Sequence, residues 1–471
     1  MMWWKCKRTW SRIFWLALVL LGLLALVVVA FVGPWPAISV EQGNKRASAA
    51  AARLLDRAGA SLDLEPGPLQ AGQATRRITL DSDLPLAGYP GRRNAGFVGA
   101  ANALHIRALA LGNGRNRVLM FGADLLLVPE ALADQVRREL KRRARLAAHE
   151  IVFTVTHTHS APSPSTRRFL GRCLGGKGDS RFIEQLTEGF VQAGLEAVET
   201  MRPALLGSFQ VEAGDLAAGD GPVDTRLRGM VVRFLDGGRS VVLNFGARPT
   251  LLGPENRRVS GDYPGYAQAA LARHLGTMPL FQAGAIHGVL PLPPAATEED
   301  RAGLTPMPGS ERAPHARARA LGEELARRAE AALASVQFRE DAVVAALGAH
   351  CPLPPLQARI DQDWRLSPAV PWLAGMRTEA YLQGVRVGDV VLVALPVEFS
   401  GALLHELVRD EPADGPHVWI CSLSGGYQGV AGWEAAGGLI PWLDPRDPVF
   451  FHTVATTLRD LLTKSQPFPQ I

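Results

Sequence analysis

The chain has 471 residues, of which 47% are hydrophobic and 20% charged, and a formal net charge of +5 at pH 7. This composition is typical of a globular protein, and the length suffices for a large core or for two or three domains. Four basic residues lie in residues 1–12, so removing them from +5 leaves +1 for residues 34–471. A nearly neutral body gives no electrostatic reason to expect nucleic-acid binding.

Residues 13–33 are predicted to be a transmembrane anchor. The segment Ile13–Val32 is apolar apart from one glycine, and its 20 residues reach about 30 Å as a helix, the thickness of a hydrocarbon core. The basic tail, residues 1–12, is expected to stay cytoplasmic, which would place the main domain in the periplasm or outside the cell. A cleaved signal peptide is the alternative, with Val28 and Ala30 as the cleavage pair, although the apolar run is long for one.

The rest of the chain divides into a connector and one large domain. Residues 34–67 are predicted to be a juxtamembrane connector, because a helix-prone stretch is followed by "LEPGPLQAG", which contains two prolines and two glycines. From residue 68 to about 465, strand and helix patterns alternate, with a hairpin at Gly237 and Gly238. The predicted strands are 117–128, 150–160, 228–236, 239–247, 279–285 and 384–400, and the predicted helices are 130–147, 181–201, 263–275 and 312–335. This order predicts an α/β fold, a mixed β-sheet with covering helices in a single domain.

The four cysteines are too few for a disulfide framework. Cys6 lies on the predicted cytoplasmic side, which leaves Cys173, Cys351 and Cys421 in the main domain. Because three is an odd number, at most one bridge is expected and one thiol stays free. Their spacing also contains no CxxC pair of the kind that holds zinc through thiolates.

The stretch "FTVTHTHSAPSPS" contains the first candidate site residues. If the strand continues through them, His157 and His159 point to the same face, because side chains alternate along a strand. Two such imidazoles are a common start of a zinc site, and the alternative is a polar strand end whose histidines bond to loop carbonyls. A serine hydrolase is disfavoured, because neither Ser160 nor Ser260 lies in a GxSxG turn, and Asp262 is expected to cap the following helix.

Further motifs occur in a characteristic order. "LAGYPGRRN" precedes the strand "IRALAL", and "NFGARPTLLGPENRRVSGDYPGYA", "FQAGAIHGVLP", "VALPVEFS" and "SLSGGYQGVAG" follow. As a set, with THTHS, they resemble the neutral, non-lysosomal ceramidase family across residues of about 68–465. The resemblance implies a mixed α/β catalytic domain that holds one zinc ion and cleaves the amide of N-acyl sphingosine. The chain would then be a divergent, membrane-anchored member whose substrate or ligand is an N-acyl amide lipid.

The resemblance also implies where a zinc ion would be held. The surviving metal candidates are His157, His159 and Glu398, the last from the motif PGEfs. Aligning "IRALAL" on the motif ARAL puts Ala101 at the first histidine ligand. Aligning Tyr427, in "SLSGGYQGVAG", on the first tyrosine of YxGY puts Val430 at the position of the tyrosine ligand. Two of the four expected ligands are therefore replaced.

The catalytic positions are altered too. Arg248 replaces the histidine of the motif HPT, and Leu290 lies at the position of the serine nucleophile, where leucine cannot attack a carbonyl. His287, in the nucleophile loop, could rebuild a site with the surviving ligands. His105 lies about 13 Å along its strand from Ala101 and cannot simply replace it.

Three hypotheses follow: a degenerate, non-catalytic ceramidase-like domain that binds a lipid or a partner, an active zinc amide hydrolase, and a hydrolase with a rebuilt site. The altered positions favour the first hypothesis and a site without zinc.

Overall fold

The structure, a computed structural model, describes residues 2–33, 35–80, 84–92, 96–162, 164, 179–294, 312–355, 357, 363–368, 377–409, 411, 415–432 and 448–463. Its helices, in chain order, are α1 (Met2–Phe31), α2 (Val40–Gly59), α3 (Glu130–Ala144), α4 (Ser180–Glu199), α5 (Asp262–Leu275), α6 (Arg312–Leu333), α7 (Gly401–Val408) and α8 (Pro448–Thr463). Short 3-10 turns lie at Pro90–Arg92, Ala148–Glu150 and Gly214–Leu216.

The strands are mostly short. They are β1 (Trp35–Pro36), β2 (Gly67–Pro68), β3 (Gln70–Arg77), β4 (His105–Gly112), β5 (Arg117–Ala123), β6 (Ile151–Val155), β7 (Arg202–Glu212), β8 (Ala217–Gly219), β9 (Arg226–Phe234), β10 (Arg239–Phe245), β11 (Met278–Ala283), β12 (Val289–Pro291), β13 (Asp341–Ala342), β14 (Val344–Pro352), β15 (Trp364–Arg365), β16 (Glu379–Val387), β17 (Val390–Ala394), β18 (Glu398–Phe399), β19 (His417–Cys421) and β20 (Val430–Ala431).

Two mixed sheets form the centre of the molecule. The larger has eight strands in the order β11-β10-β9-β7-β3-β4-β5-β6, and the smaller has four in the order β14-β16-β17-β19. Most neighbours are antiparallel, whereas β5–β6, β10–β11 and β17–β19 are parallel. One apolar cluster joins the two sheets and includes Met120, Val385 and Trp419, each at most 3% exposed. The sheets therefore pack face to face.

Helices cover the outer faces of both sheets. On the eight-stranded sheet, apolar residues of α3 and α4 pack on β4, β5 and β6, and those of α5 and α6 pack on β9, β10 and β11. On the four-stranded sheet, apolar residues of α2 and α8 pack on β14, β16 and β17. In α4, Phe182, Leu186 and Phe190 recur at helical spacing and are buried, which explains why this segment forms an amphipathic helix. The layers are thus helix, sheet, sheet and helix, and the predicted α/β fold with a mixed sheet and covering helices is confirmed.

One predicted element is wrong. The segment 384–400, interpreted as a single strand, contains the end of β16, all of β17 and then β18. The chain turns back at Gly388, whose φ of 61° lies in the left-handed region that glycine tolerates well. The hairpin at Gly237 and Gly238, in contrast, is present between β9 and β10 as predicted.

The N-terminal segment contains one helix that is long and apolar enough to cross a membrane, with Phe14–Phe31 as the apolar part. A signal sequence near the N-terminus can meet the same criteria of length and apolar character. In the segment predicted as a connector, Ala51 and Leu55 of α2 are buried against β14 and α8. Residues 40–59 therefore pack as part of the folded body.

Two cysteines of the main domain, Cys351 and Cys421, are buried free thiols, and burial raises the pKa of the Cys351 thiol to about 12. Cys173 lies outside the described residues. The two described thiols of the main domain are not paired with each other.

Candidate functional site

The histidine stretch begins where β6 ends. The strand stops at Val155, and His157 has a φ of 58°, so the strand alternation assumed for the two histidines is wrong. The turn nevertheless brings the rings of His157 and His159 together, with centroids 5.0 Å apart and planes at 87°. Both residues are predominantly buried rather than exposed at a strand end.

His157 has a fixed orientation. Its Nδ1 lies 2.8 Å from the carbonyl oxygen of Leu126, which can only accept, so Nδ1 carries the proton. The other ring nitrogen, Nε2, lies 3.7 Å from Oε1 of Glu398. Burial lowers the pKa of His157, and the charge of Arg248 acts in the same direction against the opposing carboxylate. The imidazole is therefore neutral near pH 7, with its Nε2 lone pair toward Glu398.

His159 lies beside a tyrosine and a glycine. Its ring centroid is 5.0 Å from that of Tyr89, and the backbone of Gly88 lies next to Nδ1. Neither ring nitrogen makes a hydrogen bond of normal geometry within the described part of the chain. Burial, followed by the proximity of His157 and of Arg248, lowers the pKa of His159 well below its usual range. Unlike His157, this imidazole has no carbonyl partner at normal hydrogen-bond geometry among the described residues.

The carboxylate at the centre of the site belongs to Glu398. It opens the two-residue strand β18, which pairs with β20, and its side chain is only 7% exposed. Its Oε2 accepts a short hydrogen bond from Nη2 of Arg248, and its Oε1 accepts one from the Tyr427 hydroxyl at 3.4 Å. With His157 on the same oxygen, the carboxylate is contacted from three sides.

Arg248 enters the site from the loop after β10. Its backbone amide donates to the carbonyl of Val289 at 3.0 Å, which ties that loop to β12. The side chain is 31% exposed, and its Nη2 contacts Glu398. Its charge acts on both histidines and on Tyr427, whose pKa is raised chiefly by burial. A guanidinium thus lies among the side chains that were predicted to hold a metal.

The replaced positions lie around this centre in different roles. Ala101 donates its amide to the carbonyl of Val259 at 2.8 Å, and Val430 pairs in register with Glu398. Leu290 lies in β12, opposite Ala218. At all three positions the backbone pairs with a neighbouring segment. None of the three side chains can supply a metal ligand or a nucleophile.

The additional histidines are separated. His287 donates its amide to the carbonyl of Phe399 at 3.0 Å and bridges to Ser400, two residues from Glu398. His105 lies at the start of β4 and contacts Arg107. In the described ranges, no three histidine, cysteine, aspartate or glutamate side chains are grouped so that they could hold a metal ion. The rebuilt metal site with His287 therefore receives no support.

The two serines considered as nucleophiles have structural contacts. Ser160 Oγ accepts from Asn256 at 2.8 Å, and the Ser260 hydroxyl accepts the amide of Asp262 at 3.1 Å. Asp262 accepts the amides of Tyr263 and Leu252, and burial raises its pKa to about 6. These contacts hold the turn before α5. The capping role expected for Asp262 is wrong, because the N-cap position is Gly261 and Asp262 is the first residue of the helix.

A zinc ion does not fit these residues as they are arranged. Two donors, His157 and Glu398, face each other, but the second carboxylate oxygen is bound to a guanidinium. A cation placed there would meet the positive charge of Arg248, at a cost of about 3 kcal/mol per unit of metal charge at 5 Å and an effective dielectric of 20. The donor set and the charge both disfavour a metal.

Tyr427 is the main site residue that the motif alignment missed. It was matched to the tyrosine of YxGY that does not bind metal, yet its hydroxyl reaches Glu398. Arg92 was missed as well, although its Nη2 donates to the carbonyl of His159 at 2.8 Å and its guanidinium lies over the Tyr89 ring. In the sequence, the only indication of a role was that Tyr427 lies in the segment "YQG" and Arg92 in the segment "GYPGRR".

The architecture defines a class: two face-to-face mixed sheets covered by helices, with a polar centre at the strand ends. Among solved structures it is similar to neutral ceramidase from Pseudomonas aeruginosa, with a TM-score of 0.67, 16% identity, and coverage of 85% of this chain and 74% of that one. A ceramidase complexed with C2 matches with a TM-score of 0.64, the same identity and the same coverage. No family profile and no curated protein matches the sequence. The chain therefore has the neutral ceramidase fold, and the resemblance found in its motifs is confirmed at that level.

Proposed function

We propose that this protein is a membrane-anchored, non-catalytic domain with the neutral ceramidase fold, in which Arg248 takes the place of the metal ion. The observation that carries the proposal is the ion pair between Arg248 and Glu398, with His157 and Tyr427 on the same carboxylate. A guanidinium neutralises the carboxylate as a metal would, but it has no vacant position at which water could be activated.

The nucleophile position supports the same conclusion. Hydrolysis of an amide needs an oxygen nucleophile and a group that polarises the carbonyl. Leu290 provides no oxygen, and the nearby Ser160 and Ser260 are engaged in turn contacts. The domain would thus keep the binding shape of the fold and lack the chemistry.

The ligand class is proposed from the fold. The two similar solved structures described above are ceramidases, so an N-acyl amide lipid is the first ligand to test. The helix α1 supports delivery from a membrane, because it has the length and apolar character of a single span. With the basic tail in the cytoplasm, the folded domain would face the periplasm or the cell exterior.

Active hydrolysis is the second candidate, and one contact favours it: the Nε2 lone pair of His157 lies 3.7 Å from Glu398, as two ligands of one ion would. The candidates differ in metal content. We would measure zinc by plasma mass spectrometry in the detergent-solubilised full chain, after dialysis against trace zinc, together with cleavage of N-acyl sphingosine.

The proposal expects no stoichiometric zinc and no cleavage in the unaltered protein. It also expects Arg248→Ala to gain zinc affinity, because the competing charge is removed, and Arg248→Ala with Glu398→Ala to lose that gain. One zinc per unaltered chain together with amide cleavage would establish the hydrolase instead. If the protein binds no N-acyl amide lipid, the proposed ligand class is refuted. The proposal that the Arg248 centre is non-catalytic is unaffected by that result.

A further inference from the structure

A second cleft lies away from the Arg248 centre, between the β3–β4 face and helix α5. Its volume is about 550 Å³, within the range of roughly 300–1,000 Å³ that is usual for small-molecule sites. We call it the α5 cleft, and its walls include Thr75, His105 and Arg107 on the sheet and Gly265 and Ala269 on the helix. It has no role in the proposed function.

The cleft exists because polar strand residues face small helix residues. Thr75 pairs with Arg107 in the register of β3 and β4, and His105 lies two residues before Arg107, so the three share one face of the sheet. On α5, Gly265 and Ala269 are four residues apart and therefore lie on one side of the helix. Without larger side chains on that side, the two walls do not close.

Behind the cleft wall, the lining residue Arg107 pairs with Asp124, which is buried and does not itself line the cleft. Asp124 is 1% exposed and accepts from Nη1 of Arg107 at 2.9 Å and from Nε2 of Gln268 at 2.9 Å. Despite desolvation by burial, the Arg107 charge and these hydrogen bonds lower the pKa of Asp124 to about 2. The carboxylate is thus ionised and neutralised by Arg107, so neither group offers a free charge to a ligand.

His105 offers a hydrogen-bond donor. Nη2 of Arg107 can only donate, and it lies 3.2 Å from Nδ1 of His105, so Nδ1 accepts. In the tautomer whose Nδ1 accepts, Nε2 carries the proton, and the side chain is 29% exposed at the cleft. The contacts of Arg107 therefore orient the imidazole for donation to a ligand.

Two amide side chains in the cleft walls have unsatisfied atoms. Gln73 Oε1 and Asn102 Nδ2 are occluded and lack a hydrogen-bond partner among the described residues. Asn102 Oδ1 already accepts the amide of Gly261 at 2.9 Å, which fixes Nδ2 as the unpaired donor. Buried amides without partners are rare in folded proteins, and a small rotation would bring either group to a ligand in the cleft.

We propose that the α5 cleft binds a small, uncharged, polyhydroxylated molecule, a sugar or a polyol, either free or as the headgroup of a glycolipid. The walls alternate donors and acceptors, which suits hydroxyl groups because each hydroxyl both donates and accepts. In the described part of the chain, the lining contains no acidic side chain to attract a cation and no Phe, Tyr or Trp on which an aromatic ring would stack.

The test uses the full chain in a detergent without a sugar headgroup, so that the detergent does not compete. Saturation-transfer NMR and calorimetry would be run with glucose, galactose, N-acetylglucosamine and myo-inositol, with choline and inorganic phosphate as charged comparisons. We expect at least one of the four hydroxylated probes to bind, at concentrations up to about 10 mM, and the charged comparisons not to bind. No binding of the hydroxylated probes, or preference for a charged one, would overturn the proposal.

Two variants locate the binding. Ala269→Leu should abolish it, because the longer side chain projects into the cleft from the helix surface. His105→Ala should weaken it about fivefold, the loss of one hydrogen bond. Arg273→Leu is the matched control and should bind normally, because Arg273 pairs with Glu323 of α6 and does not line the cleft. Binding that survives Ala269→Leu would place the sugar elsewhere and refute the site.

Binding to lipid vesicles distinguishes a lipid headgroup from a free sugar as the ligand of the α5 cleft. Vesicles that contain a monoglycosyl diacylglycerol are compared with phosphatidylcholine vesicles, each with the unaltered protein and with Ala269→Leu. Binding of glycolipid vesicles that depends on Ala269 identifies a lipid headgroup, and binding of free sugar alone identifies a soluble ligand.

Discussion

The guanidinium of Arg248 donates a short hydrogen bond to the carboxylate of Glu398, 150 residues further along the chain. This contact joins the loop after β10 to strand β18, and His157 from the end of β6 faces the same carboxylate. Three separate parts of the sheet system therefore converge on one charge pair. Such a centre stabilises the fold, because each partner neutralises the other.

Removing one member of this pair should destabilise the fold. Arg248→Leu leaves Glu398 buried without its cation, and we expect a loss of about 2 kcal/mol in the free energy of unfolding, less than the 3–5 kcal/mol of a fully buried pair because Arg248 is 31% exposed. Unfolding of the detergent-solubilised full chain, followed by circular dichroism, measures this loss.

The double variant Arg248→Leu with Glu398→Leu should recover most of the loss, because no uncompensated charge then remains. Arg142→Ala is the control, since the Arg142–Glu139 pair is solvent-exposed and should change stability by less than about 0.5 kcal/mol. An equal loss in all three variants would show that the pair has no special role.

The position of His159 depends on a glycine. Gly88 has a φ of 95°, and a Cβ atom on it would lie 2.4 Å from Nδ1 of His159. Gly88→Ala is therefore expected to displace the imidazole and to cost more than about 1 kcal/mol, because strain and steric overlap add. Histidine ring signals in NMR spectra would report the displacement.

Gly91→Ala is the matched control for this substitution. Gly91 lies three residues further on, has no positive φ, and a Cβ atom there would meet nothing within 4 Å. It should leave both stability and the His159 signals unchanged. If Gly88→Ala behaves in the same way, the packing of His159 against this turn is not what holds the ring.

Much of the fold was predictable because local patterns carry it. The continuous apolar run of β5 and the helical spacing of Phe182, Leu186 and Phe190 in α4 indicate their burial directly. The hairpin at 384–400 was overlooked although Gly388 and Asp389 form a turn signal between two apolar runs. Both runs are apolar, so in the sequence they resemble one continuous strand despite the two-residue break. Only the pairing of β16 with β17 in the sheet shows that they are two strands.

The site was predictable only in part. The sequence, through its resemblance, indicated His157, His159, Glu398 and Arg248, but no local pattern shows which of them touch. The contact of Tyr427 with Glu398 depends on how the 422–430 turn is placed by β19 and β20, a non-local property. The left-handed φ of His157 likewise accompanies a buried contact with Leu126, 31 residues away, which no local pattern shows.

Asp262 should make stability depend on pH in a way that one substitution isolates. Burial raises its pKa from 3.8 to about 6, so between these values the folded state holds a proton that the unfolded state has lost. The free energy of unfolding should therefore fall as the pH rises from 4 to 6, and the decrease should be complete by pH 7. The total decrease is roughly 3 kcal/mol.

Asp262→Asn removes this titration and tolerates the φ of 53° at the position. Asparagine loses one of the two amide hydrogen bonds, but that cost is independent of pH. We therefore expect the stability of the unaltered protein, relative to Asp262→Asn, to decrease from pH 4 to pH 7, as measured by thermal unfolding at each pH. The histidines titrate equally in both proteins and cancel in the difference. A difference that stays constant across this range would mean that Asp262 titrates normally and that the turn before α5 is open to water.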